Sequence, residues 1–182
     1  LTNLVGSGSS GSVIASQLKG KILLVEAGGK GSFLFNVPIF QPLIQGTSFD
    51  WTFSSEPQAN SCRALENSFS NWPSGKILGG THKLNNMVYH RGHRIDYEDF
   101  MSQDEAEKYF KIVEKQAEIS KGNFRSIVGE SFVAAGLELG FDDFNFTNLT
   151  QKNGRRFTQI NVLLENLDNP PEILTNAFVT RI

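Results

Sequence analysis

Apolar residues open the chain as short, nearly continuous runs and then take on a helical rhythm in its second half. Leu1–Val5 is an apolar lead-in, Gly6–Gly11 is a glycine-rich turn, and Ser12–Leu18 has helical character. Lys19-Gly20 breaks the chain before the apolar run Ile22–Val25. Continuous rather than alternating apolar character suits a parallel strand covered on both faces. The opening therefore reads strand, turn, short helix, strand.

From Gly28 to Gly75 the chain is rich in Gly, Pro, Ser and Asn, with scattered Phe and Trp. Aromatics are too frequent there for a solvated spacer, so the expectation is long ordered loops with short strands around Phe49–Ser54. Gln103–Ala117 carries helical spacing, with Ala106, Tyr109, Phe110 and Val113 on one face and charges opposite. Phe132–Leu139 predicts a second amphipathic helix, stopped by Gly140. Beyond Asp142 the sequence is polar until Glu172–Leu174 and Phe178–Ile182, which predict strands. A strand as the final element points to a fold incomplete at its carboxy end. No internal repeat or low-complexity tract interrupts the 182 residues, which read as one partial region, 1–182.

Charge changes this picture mainly by exclusion. Lys and Arg total 17 against 19 Asp and Glu, a formal net charge of -2, so nothing electrostatic calls for nucleic acid or an anionic membrane as partner. No apolar stretch approaches the roughly 18 residues that cross a bilayer. No signal peptide is visible. Cys62 is the single cysteine, which excludes an internal disulfide and a cysteine-based metal site. The triplets Asn145-Phe-Thr147 and Asn148-Leu-Thr150 are glycosylation sequons if the protein is secreted.

The candidate chemistry begins at Gly6-Ser7-Gly8-Ser9-Ser10-Gly11. Gly6 makes a tight turn, Gly8 leaves room for a pyrophosphate against the backbone, and Gly11 lets a helix pack closely on a strand. The helix start then offers unpaired N–H groups to phosphates, and Ser9 and Ser10 add hydroxyl donors. Glu26 lies at the end of the next strand, followed by Ala27; an acid in that place accepts hydrogen bonds from the ribose of the adenosine half. The intervening helix has room for only about two turns.

A second block is more specific than the turn. Val25-Glu-Ala-Gly-Gly29 closes the unit, and Asp50-Trp51 and Glu56-Pro-Gln58 follow. Then come Asn71-Trp-Pro-Ser-Gly-Lys-Ile-Leu-Gly-Gly80, Asn85-Asn-Met-Val-Tyr89, Arg91-Gly92 and Asp96-Tyr97. This series resembles the glucose–methanol–choline (GMC) oxidoreductases, flavoproteins that oxidise primary alcohols, sugars and choline. Its first half looks most like the arthropod glucose-dehydrogenase-like branch. The resemblance implies an α/β, Rossmann-like FAD-binding fold, the amino-terminal part of the enzyme. It implies FAD as cofactor, an alcohol or sugar as substrate, oxygen or quinone as electron acceptor, and secretion.

The residues themselves agree with a flavin. Gly79-Gly80, followed by Thr81, lets backbone approach a flat ring. Asn85, Asn86 and the backbone of Met87 and Val88 offer fixed hydrogen bonds to the polar edge of an isoalloxazine, where they stabilise the charge of the reduced ring. By resemblance, Val179 touches the adenine through its backbone. Where some relatives attach FAD through a histidine, this chain has Leu84, so the expected flavin is non-covalent. His82, His90 and His93 read as solvated or hydrogen-bonded histidines in a basic loop rather than metal ligands. The segment after Asp99 and the stretch between Lys121 and Ser131 look thin against the family pattern. The family's catalytic histidine belongs to a later segment, so no residue here is assigned to catalysis. Two alternatives stay open: a non-catalytic remnant that binds nucleotide weakly or with a partner, and an NAD-dependent dehydrogenase, which the block Gly75–Tyr89 disfavours.

Overall fold

The computed structural model describes residues 1–122, 124–141, 144–165 and 170–181, arranged as two compact units. The first comprises Leu1–Asn86 and the chain from Gly154 onward; the second is Met87–Asn153.

The first unit is built on a parallel sheet. Strands β1 (Thr2–Val5) and β2 (Ile22–Val25) pair in register from Thr2↔Ile22 to Val5↔Val25. The helix between them, α1, spans Ser9–Gln17, so the turn is confined to Gly6–Gly8 and the helix begins three residues before its expected start at Ser12. Ser9, Ser10 and Gly11 are thus helical. This sequence is a weak helix former, and packing makes the helix: Ser12 and Ala15 are small enough to bury completely against the sheet, and Ser12 Oγ donates to the Ser7 carbonyl at 2.9 Å. Gly20, at φ +97°, ends the connection. β2 is the better covered strand, with Leu24 fully buried, whereas Val5 of β1 is half exposed.

After β2 come two short antiparallel strands, β3 (Phe53–Ser54) and β4 (Asn71–Trp72), which pair with each other. The surrounding loops hold short 3-10 turns and one turn of α-helix, α2 (Gln41–Ile44). Phe35, Ile44, Ile77 and Leu84 are buried together there, with Phe49 packed on them. Asp50 ties the loops: its carboxylate accepts from the backbone N–H of Gly46, Thr52 and Ser74 at 2.8–3.0 Å. Burial pushes its pKa up, but those three donors outweigh burial and hold it below the ordinary value.

The second unit opens with β5 (Val88–Tyr89), followed by α3 (Gln103–Gln116) and β6 (Ser120–Lys121). Ser102 caps α3 by accepting from Glu105 N–H, Asp104 and Glu105 sit at its positive end and Lys115 at its negative end. Ala106 is buried as expected, but Tyr109 is about half exposed. Helix α4 (Ile127–Glu138) starts five residues before the expected Phe132, because Ser126 caps it by accepting from Gly129 N–H at 3.0 Å. It stops where Gly140 adopts φ +85°. Strand β7 (Asn148–Leu149) lies between β5 and β6, antiparallel to both, and β8 (Gln151–Lys152) follows it.

The chain then re-enters the first unit through β9 (Arg155–Arg156). Helix α5 (Gln159–Glu165) stands where the sequence reads as a polar stretch. It packs on α1, and Ile160 and Leu163 join Ala15, Leu24 and Leu78 in the main core. Strand β10 (Glu172–Leu174) adds to the other edge of β2, parallel to it. Phe178–Arg181 is not a strand: Ala177 N–H donates to the Glu26 carbonyl and the chain leaves the ladder beyond it. Ile182, the last residue of that expected strand, lies outside the described residues.

Candidate functional site

A cleft of about 360 Å³ opens at the carboxyl ends of β1 and β2 in the first unit. Val5, Gly6 and Gly8 line it from the turn, Val25, Glu26 and Ala27 from β2, and Gly80 and Thr81 from the second glycine pair. Trp51, Gly75, Ala177, Phe178 and Val179 complete it. Open parallel sheets place ligands in this position, outside the carboxyl ends of their strands. Seven of the sequence-derived candidates therefore converge on one space: Gly6, Gly8, Glu26, Ala27, Gly80, Thr81 and Val179.

The glycines differ in what a side chain would meet. At Gly8, with φ −65°, an added Cβ finds no atom within 4 Å, so the space before it is open cleft. At Gly11 the Cβ would lie 1.9 Å from the Gly6 carbonyl oxygen, which is the close helix-on-strand approach read from the sequence. At Gly80 it would lie 2.9 Å from Gly8 Cα, so the two glycine elements touch backbone to backbone. Gly8 is also the N-cap of α1 and, having no side chain, leaves the helix's first-turn amides without a side-chain cap. No acidic side chain occupies that first turn. The positive end of the helix therefore faces outward beside Ser9 and Ser10.

Ser7 stands behind the lining. It is fully buried, its N–H and hydroxyl both donate to Glu26 Oε2, at 3.0 and 2.5 Å, and its Oγ accepts from Gly79 N–H at 3.0 Å. Glu26 Oε1 accepts from Gly28 N–H at 2.8 Å. Gly79 belongs to the same inner layer, at φ +101° against Ile160 and Lys83.

Asn85–Val88 is not among the residues lining this cleft. Asn85 and Asn86 end the first segment of unit one, and Met87, at φ +60°, and Val88 begin unit two. Asn85 is held from behind by Arg156, whose Nη1 donates to Asn85 Oδ1 at 2.7 Å and to the His82 carbonyl at 2.8 Å. Arg156 is 2% exposed, and burial lowers its pKa to about 10. Lys83, also buried, donates from Nζ to Asn36 and Asn161 Oδ1. Burial first, and the charge of Arg156 second, bring it down to about 8. The expectation for His82 is a solvated or hydrogen-bonded ring; it is only partly exposed, burial and then the charges of Arg156 and Lys83 lower its pKa, and its Nδ1 is buried without a hydrogen-bond partner among the described residues. His90 and His93 do match the expectation, accepting at Nδ1 from Gly92 N–H and Ile95 N–H. Among the described residues no group of His, Cys, Asp and Glu is placed to hold a metal, and no helix is long and apolar enough to cross a membrane. Leu84, the position corresponding to covalent attachment, is 1% exposed, packed in the cluster of Phe35, Ile44 and Ile77.

Sequence reasoning missed the aromatic wall. Trp51 packs against Phe53 and Phe178 with ring centroids 6.0 and 5.8 Å apart, and Lys76 Nζ lies 4.8 Å from the Trp51 ring. The signal available was the Asp50-Trp51 pair. Asp50 positions the tryptophan by fixing the backbone on both sides of it.

Comparison with known proteins gives the family and the fold. The chain is 30% identical over 98% of its length to a glucose dehydrogenase [FAD, quinone] of Drosophila pseudoobscura pseudoobscura, covering 35% of that protein. It is likewise 30% identical to an alcohol dehydrogenase [acceptor] of Pseudomonas putida, covering 98% of this chain and 39% of that one. The crystal structure of pyridoxine 4-oxidase from Mesorbium loti superposes with a TM-score of 0.78 at 25% identity, over 96% of this chain and 42% of that one. An FAD-dependent oxidoreductase from Chaetomium thermophilum shares the fold, with a TM-score of 0.72 at 20% identity over 95% and 38% of the two chains. The chain thus spans a little over a third of the length of these relatives. The family model for GMC oxidoreductase matches residues 4–182, and the chain belongs to that family, whose cofactor is FAD.

Proposed function

We propose that the first unit binds the adenosine diphosphate half of FAD in the cleft between the Gly6–Gly8 turn and Val179, as part of a flavoenzyme that oxidises a CH–OH group of an alcohol or sugar. The observation that carries this reading is the convergence of Gly6, Gly8, Glu26, Gly80, Thr81 and Val179 on one cleft. The space before Gly8 and the uncapped start of α1 suit a pyrophosphate, which needs close backbone approach and N–H donors. Glu26 suits the ribose, and the backbone at Ala177–Val179 suits the adenine edge. FAD when bound supplies the hydride acceptor, flavin N5.

The chain's own residues bind and orient. Asn85, with its carboxamide oxygen committed to Arg156, and the backbone of Asn86–Val88 serve the polar edge of the isoalloxazine. Leu84 is turned into the core and has no nucleophilic atom, which supports a flavin held without a covalent bond. No residue of the 182 is assigned as the base that takes the hydroxyl proton. Similarity to a glucose dehydrogenase [FAD, quinone] and an alcohol dehydrogenase [acceptor] supports a primary alcohol or sugar as substrate and oxygen or quinone as electron acceptor. The complete polypeptide should purify yellow and be reduced by an alcohol or sugar without added NAD. A colourless protein that takes up no FAD sinks the reading.

A further inference from the structure

Glu26 is a carboxylate only 5% exposed, and its acceptor positions are almost fully assigned. A carboxylate has about four lone-pair sites. Oε2 takes the Ser7 N–H and the Ser7 hydroxyl, and Oε1 takes Gly28 N–H. Among the described residues one site on Oε1 is left, and Glu26 lines the cleft. The direction of the serine hydroxyl is not free to vary. Gly79 N–H donates to Ser7 Oγ at 3.0 Å, which occupies the oxygen as acceptor and sends its proton to Glu26. Both groups lie in a region shielded from water, where a charge-assisted bond of this kind is stronger than at a surface. An alanine at position 7 would leave Gly79 N–H without a partner and Glu26 without its shortest donor.

Resting on the reading of the cleft as the adenosine site, we propose that Ser7 is a positioning residue for ribose recognition. It does not touch the nucleotide. It fixes the plane of the Glu26 carboxylate so that the remaining acceptor on Oε1 faces a ribose hydroxyl, and it does so from the rigid turn that also anchors Gly79.

The test is the discrimination between ADP and 2′,3′-dideoxy-ADP by the flavin-free complete polypeptide, measured by titration calorimetry. Wild type should favour ADP by about tenfold or more, the range for a hydrogen bond to a charged group. Glu26→Ala should bring the ratio close to one. Ser7→Ala, and Ser7→Cys, which keeps the side-chain shape at a somewhat larger volume but donates poorly, should fall to within about twofold of the Glu26→Ala ratio. Thermal melts establish which variants are folded, and the cysteine variant decides if alanine is not tolerated. A wild-type ratio in either folded serine variant overturns the proposal. A wild-type ratio in Glu26→Ala instead overturns the adenosine reading of the cleft, and the inference with it.

Discussion

The guanidinium of Arg156 donates through one nitrogen, Nη1, to both Asn85 Oδ1 and the His82 carbonyl, joining residues 71 and 74 positions apart in the chain. The bond settles which way the Asn85 carboxamide faces, because its oxygen is committed to the arginine. It also places a buried cation directly behind a residue assigned to the flavin edge. Sites that must be accurate are built this way, with a supporting side chain locking the rotamer of the contacting one.

Removing that support should cost stability and cofactor together. Arg156→Ala leaves two part-buried acceptors without their donor, a loss of about 2 kcal/mol at the low end of roughly 1–3 kcal/mol each. Urea denaturation should show it as a lower midpoint. Asn85→Ala, which leaves the His82 carbonyl paired, should be milder in stability yet still weaken FAD, read by fluorescence quenching. Unchanged FAD affinity in both variants would remove Asn85 from the site.

Lys83 and His82 make stability depend on pH in two windows. The Lys83 ammonium has a folded pKa of about 8 against an ordinary 10.5, so between those values the unfolded chain binds a proton that the folded one does not. Stability therefore rises with pH from about 8 to 10.5, by on the order of 3 kcal/mol at 1.36 kcal/mol per unit. His82 is lowered below 6.5, so the unfolded state takes up the proton first and stability falls as pH drops through that value. Denaturation curves at a series of pH values should show both slopes, with Lys83→Met flattening the alkaline one and His82→Asn reducing the acidic one.

How much of this was legible depended on whether the constraint was local. Gly6, Gly8 and Gly11 announce themselves because each does one steric job within six residues, and Glu26 follows at the next strand end. The start of α1 was misplaced because Ser9, Ser10 and Gly11 are weak helix formers that tertiary packing makes helical. Helix α5 reads as loop for a different reason: Gln159 and Asn161 interrupt a short apolar run, yet Gln159 is buried and Asn161 Oδ1 accepts from Thr158 at the helix start. Arg156 could not be singled out, since nothing near it in sequence hints at a partner 71 positions away. Phe178–Arg181 reads as a strand by composition, but the last backbone bond to the end of β2 is that of Ala177, and Phe178 and Val179 line the cleft instead.

The proposed non-covalent attachment of the flavin rests on position 84. Leu84 points into an apolar cluster and has no nucleophilic atom. Acid precipitation of the complete flavoprotein should leave intact FAD in the supernatant. Flavin fluorescence retained by the washed pellet would show a covalent bond formed elsewhere.

The sharpest test of the cleft contrasts Gly8, at the end of the turn, with Gly11, inside the helix that follows it. Gly8 has φ −65°, a conformation any residue adopts, and open space where its Cβ would stand. Gly8→Val should therefore fold with a melting temperature near wild type while filling the place assigned to the pyrophosphate, and FAD retention should be lost. Gly11 is the opposite case. Its Cβ would sit 1.9 Å from the Gly6 carbonyl oxygen, a backbone atom that cannot swing aside, so Gly11→Val should lower the melting temperature sharply before any question of ligand arises. Measuring melting temperature and bound flavin on both variants separates the two roles. Normal flavin content in a well-folded Gly8→Val protein would mean that the turn shapes the strand–helix junction and that the cofactor lies elsewhere.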